Sequence, residues 1–181
     1  MKPIENWELV NEAGEFKRLP AGIYPIKITN VVDVPENEYL EVYCDIVKGE
    51  FTNYFKALVD AGLKDSSKTI RSYKMNALPF FKGFITAIEK SNTGYKWDWD
   101  EKKLVGKFAV GVFGEEEYQD KNGDIKVSTK LIEVRSIEAW KEGKLKVPEL
   151  KKLYVDTPTF ENKETSQNLD KIEITDDELP F

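Results

Sequence analysis

The 181-residue chain has no histidine, one cysteine and two methionines. Without imidazole there is no Ser–His or Cys–His catalysis and no histidine metal ligand. The single thiol, Cys44, forms neither an intrachain disulfide nor a zinc cluster, and it fits a reducing compartment. Long apolar runs are missing as well. The longest stretch without a charge is Leu19 to Ile26, far short of a membrane span, and Met1 to Glu5 leads into no signal-peptide core. A phosphate-binding glycine loop is also absent, because Gly111-Val112-Phe113-Gly114 runs into three glutamates where cations are needed. The expectation is a soluble, cytoplasmic protein with no membrane contact.

Against these absences stand a charged fraction of 33% and a hydrophobic fraction of 40%, enough for one core. Net charge is −6, and all of it lies in residues 156–181, where Lys163 and Lys171 face eight acids. Residues 1–155 are neutral. The tail is poor in apolar residues and cannot offset its ordering entropy, so 156–181 reads as a disordered acidic extension. Residues 1–18 read as a polar arm carrying Trp7.

Between these ends, residues 19–155 read as a single domain. Alternation from Ile23 to Val32 places Tyr24, Ile26 and Ile28 on one face of a first strand, and Pro25 implies an edge or a bulge. A second strand, Tyr39 to Val47, has Leu40, Val42, Cys44 and Ile46 on one face and Tyr39, Glu41, Tyr43 and Asp45 on the other. Lys48-Gly49 then predicts a hairpin into a third strand, Phe51 to Lys56, with residues 57–74 as a loop. A helix follows from Ala77 to Lys90, with Phe80, Phe81 and Phe84 in or beside its apolar stripe. Fourth and fifth strands cover Val105 to Phe113 and Val127 to Ile137, joined by a long acidic loop, and Lys144 to Val155 closes the domain. Five strands with one helix inserted between the third and fourth is the order of the OB-fold, an all-β five-stranded barrel.

The chain ends Asp176-Asp177-Glu178-Leu179-Pro180-Phe181. A ring and a carboxylate on Phe181 suit a pocket with a basic rim, the three acids add long-range attraction, and Pro180 lowers the ordering cost of binding. These six residues resemble the C-terminal tip of bacterial single-stranded DNA-binding proteins. The body, from Leu19 to Val155, resembles small OB-fold single-stranded DNA-binding proteins of phages of Gram-positive bacteria. That likeness is carried by Arg71-Ser72-Tyr73-Lys74, by the run Phe80 to Glu89, by Ser91-Asn92 with Gly94 to Trp99, and by Glu115 to Tyr118. It implies non-enzymatic coating of single strands, without a cofactor, in phage replication or recombination inside the host cytoplasm, with the tip recruiting replication proteins. Homo-oligomerisation is left open.

The residues argue for the same activity independently. Binding any single strand needs cations along the backbone and aromatic platforms under the bases. Lys64 to Lys96 holds seven basic residues against two acids and leads to Trp97 and Trp99. Arg71, Tyr73 and Lys74, in a loop with no evident need of a ring, are the first candidates for DNA contact, with Lys82 on the helix. Trp97 and Trp99 are either packing or platform. Tyr39, Tyr43, Tyr54 and Lys56 extend the candidate surface, although Glu41 and Asp45 on the same face oppose phosphate. Two other readings compete: an OB-fold adaptor that binds protein, and a nuclease holding Mg²⁺ through Asp98, Asp100 and Glu101 or through Glu115 to Glu117.

Overall fold

Apolar residues at every second position carry the sheet. In the computed structural model, which describes residues 2–3 and 17–153, the first strand is β1 (Gly22–Val34), with Ile26, Ile28 and Val31 buried. It pairs antiparallel with β2 (Tyr39–Ile46), whose Leu40, Val42, Cys44 and Ile46 are buried as their alternation requires. The remaining strands are β3 (Lys68–Ser72), β4 (Phe108–Gln119) and β5 (Ile125–Arg135). All five form one antiparallel sheet in the order β3-β2-β1-β4-β5. β1 is therefore central rather than an edge. Pro25 is tolerated because the β1–β2 ladder starts one residue later, at Ile26↔Ile46, while its carbonyl still accepts from Val47 N–H. The bulge lies further on, between Ile28 and Asn30.

The third strand is where expectation and structure part. Phe51 to Lys56 is not extended; it is a turn leading into helix α1 (Tyr54–Asp60). The cause is Asp45. Its side chain is buried rather than outward, and its carboxylate accepts from the backbone N–H groups of Phe55 (3.1 Å) and Lys56 (2.9 Å). An acceptor at that point satisfies the orphan donors of a helix N-terminus. The strand paired to β2 is instead Lys68–Ser72, inside the segment expected to be a loop, with Leu40 opposite Arg71.

Helix α2 (Leu78–Ser91) connects β3 to β4 and buries Phe81, Phe84, Ile85 and Ile88 against the sheet. Each such side chain contributes about 2 kcal/mol of burial. Phe80 departs from the expected stripe and is 81% exposed. The acidic stretch after Phe113 is strand as well, because Glu115 to Gln119 pair with Thr129 to Ile125. Gly111 fits where a Cβ would come within 2.7 Å of the Phe113 ring and 2.9 Å of Leu131. A short helix α3 (Ile137–Lys141) follows, capped by Ser136, and the closing segment then lies beside β4 through a parallel bridge, Glu116↔Lys151.

Residues 4–16 of the N-terminal arm, Trp7 among them, and the acidic tail with its tip Asp176, Asp177, Glu178, Leu179, Pro180 and Phe181 lie outside the described residues. No helix among the described residues is long and apolar enough to cross a membrane.

Candidate functional site

α2 does not seat flush on the sheet along the side that carries Leu78, Lys82 and Glu89. It leaves a cleft of about 1020 Å³, with Asp33 of β1 and Leu40 of β2 on one wall, Leu78, Phe81 and Lys82 of α2 on another, and Trp97, Trp99 and Glu101 at the far side. Tyr73 lines it from the turn after β3. Four rings run in series along this cleft. Tyr73 meets Phe81 edge-on at 5.9 Å, Phe81 meets Trp97 at 6.4 Å, and Trp97 meets Trp99 at 6.1 Å between centroids.

Each ring is positioned by a backbone device. Tyr73 N–H donates to Glu38 O (2.9 Å), and its phenol donates to Asp33 Oδ1 (2.9 Å). Burial, followed by that hydrogen bond and the nearby acids, pushes the Tyr73 phenol up to about 12, so it is a neutral donor at ordinary pH. After α2 the chain reverses at Gly94 (φ +79°), and Trp97 N–H then donates to Glu89 Oε1 (2.9 Å). Trp97 is half-buried, and its indole Nε1 has no partner among the described residues. Trp99 is 83% exposed and sits at φ +68°, a conformation rare for a bulky side chain. Asp100 caps the following turn, which is anchored by the fully buried Leu104.

The charge of the cleft is mixed. Among the described residues Lys82 is its one cation, while Asp33, Glu89 and Glu101 line it with carboxylates. Two of those acids are engaged: Asp33 by Tyr73, and Glu89 by Trp97 N–H and by Lys96 at 3.8 Å. The arrangement offers flat apolar faces and hydrogen-bonding edges more than a basic trough.

Of the residues singled out in the sequence, Tyr73, Lys82, Trp97 and Trp99 are brought together here. Lys74, exposed, follows Tyr73 directly. The others are elsewhere. Arg71 is on β3, not in a loop, and it points inward with its guanidinium 5.6 Å from the Phe84 ring centroid. Its Nε and Nη2 are buried without partners among the described residues, and burial lowers its pKa. Tyr39 and Tyr43 do occupy the outer side of β2, half-buried, but Tyr43 donates to Glu41 (3.0 Å), which also holds Lys68 (2.7 Å). Tyr54 and Lys56 belong to α1. Tyr54 Oη accepts from Leu19 N–H (3.1 Å), and Lys56 pairs with Asp60. Neither reaches the cleft.

Four of the six acids weighed as metal ligands lie against cations, and Glu101 lines the cleft instead. Lys103 pairs with both Asp98 and Asp100, Arg18 with Glu115, and Lys130 and Lys151 with Glu116. Glu117 accepts from Leu153 N–H (3.0 Å). Among the described residues no group of three His, Cys, Asp or Glu is placed to hold a metal ion. Asp33 joined the cleft without any sequence signal, while Leu78 was legible only as helix stripe and Glu101 only as a metal-ligand candidate, since three separate elements bring them there. Phe81 was legible only as core, and it forms the cleft floor as well. No protein-family model matches this chain, and neither does any curated protein.

Proposed function

We propose that the protein is a non-catalytic, non-sequence-specific single-stranded DNA-binding protein whose cleft beside α2 takes unstacked bases. The observation that carries this is Trp99, held 83% exposed at a positive φ next to Trp97 and Lys82. An exposed indole in a strained backbone adds little to folding, whereas base stacking on an aromatic face contributes about 1–3 kcal/mol per base and accepts any base. The strand order, with α2 between β3 and β4, agrees with an OB barrel that remains unpaired between β3 and β5, a fold that commonly presents oligonucleotide sites. In this reading the Asp176–Phe181 segment recruits replication or recombination proteins by its acids and terminal ring.

Lys82 lines the cleft and Lys74 follows Tyr73, so attraction for phosphate adds to stacking and raised salt weakens binding. The test is tryptophan fluorescence during titration with oligo-dT, beside anisotropy of a labelled oligonucleotide and a duplex control. Quenching by the single strand and little by the duplex is the expected result. Flat responses from both probes at low salt would discard the reading in favour of a protein-binding adaptor.

A further inference from the structure

Around the C-terminal end of α2 from the cleft lies a second group of aromatic rings and cations. The β1–β4 register sets Lys27 opposite Phe108, and the Lys27 ammonium rests 6.0 Å from that ring's centroid. One residue earlier in the chain, the Lys107 ammonium rests 4.6 Å from the centroid of Tyr95. Phe108 is 42% exposed. We propose that Lys27, Lys107, Tyr95 and Phe108 form a second contact patch for the phosphodiester backbone of a single strand leaving the cleft. This rests on the reading of the cleft as a single-strand site.

Two features together, a ring beneath the ammonium and no carboxylate partner, separate these two lysines from the other described lysines. Lys56, Lys68, Lys96, Lys103, Lys126, Lys130 and Lys151 each lie against a carboxylate, which cancels their attraction for phosphate. Lys27 and Lys107 lie against rings, and among the described residues neither is within 4.0 Å of a carboxylate. A ring fixes the position of an ammonium without neutralising it. The acids of the adjoining cavity are already occupied: Asp45 accepts from three backbone N–H groups and Asp65 from Ser67 N–H.

The patch is also fixed relative to the cleft. Asn92, just past α2, accepts from Phe108 N–H (3.0 Å) and donates to both Phe108 O (2.8 Å) and Ile88 O (2.7 Å). Three residues earlier, Glu89 holds Trp97. At helical rise that is a separation of about 4.5 Å along the axis, so one strand of ordinary site size reaches both. Tyr95 and Trp97, two residues apart in one segment, face the two halves of the track.

The decisive experiment compares the full chain with K27A/K107A in binding oligo-dT of 16 nucleotides across a salt series. Loss of two phosphate contacts should reduce the slope of log K against log salt by about 1.4 and weaken binding about 25-fold at 0.1 M salt. Tryptophan quenching at saturation should be unchanged, and K27R/K107R should restore the slope. An unchanged slope in the alanine variant, or quenching that falls with affinity, would overturn the patch while leaving the cleft reading intact. No binding by the wild-type chain would overturn both.

Discussion

In the outer half of the β4–β5 hairpin, acids and bases meet. Glu115 pairs with Arg18, Glu116 with Lys130 and Lys151, and Glu117 takes the N–H of Leu153. Beside α2 the opposite holds: Trp99 is exposed at a strained φ, Trp97 Nε1 is unpartnered among the described residues, and Glu101 and Lys82 face an open cleft. The hairpin is the more conspicuous region in the sequence, with three consecutive glutamates, yet its polar groups are consumed in bracing strands. The cleft is less conspicuous, and among the described residues its Lys82 and Glu101 have no ion-pair partner. Exposed rings and uncompensated side chains, rather than clustered charge, support the proposed single-strand site.

That contrast can be broken most severely at the cleft floor. Phe81 is buried beneath Tyr73 and Trp97, so Phe81→Ala should cost about 3–5 kcal/mol of stability, read as a lower urea midpoint, and should remove DNA binding with it. A loss under about 1 kcal/mol would mean that the cleft collapses and that the rings are not fixed.

Trp99→Asn sharpens the comparison further. Asparagine accepts a positive φ, so thermal unfolding should shift by less than about 1 kcal/mol, while single-strand affinity should fall roughly tenfold or more. Equal losses in stability and binding would make Trp99 a packing residue.

The smallest effect belongs to the hairpin. Hydrogen bonds from Lys130 and then Lys151 hold the Glu116 carboxyl down to about 2. A depressed folded-state pKa contributes stability that is present above the ordinary value of 4.5 and is lost as pH falls towards about 2. Wild-type Tm should therefore decline across that window by about 1–2 °C more than Glu116→Gln does, a modest shift because the pair is solvent-exposed. Identical acid profiles would show that the ion pairs brace nothing.

Much of the framework was legible in the sequence. Alternation marked β1, β2 and the inner half of β4, and the stripe through Phe81, Ile85 and Ile88 marked α2. β3 was not legible, because Lys68–Ser72 has mixed polarity and becomes a strand only by pairing with β2. The false strand at Phe51 to Lys56 has suitable β propensity, overridden by a carboxylate ten residues away in sequence, Asp45. Arg71 looked accessible because nothing in Arg-Ser-Tyr-Lys says which side chain turns inward; its register opposite buried Leu40 does.

By itself the sequence determined what kinds of contact this protein can make. It excludes imidazole and disulfide chemistry, confines the net charge to residues 156–181, and supplies clustered aromatics and lysines between 64 and 99. Those are properties of composition and short-range order, which survive without a fold. Which lysines are compensated by a carboxylate, and which rings stay open, only the tertiary structure decided. Lys27 meets Phe108 and Tyr73 meets Asp33 across strand pairings and turns that join residues far apart in the chain. Neutralisation and burial are effects of a few ångströms, and only the folded backbone sets distances on that scale.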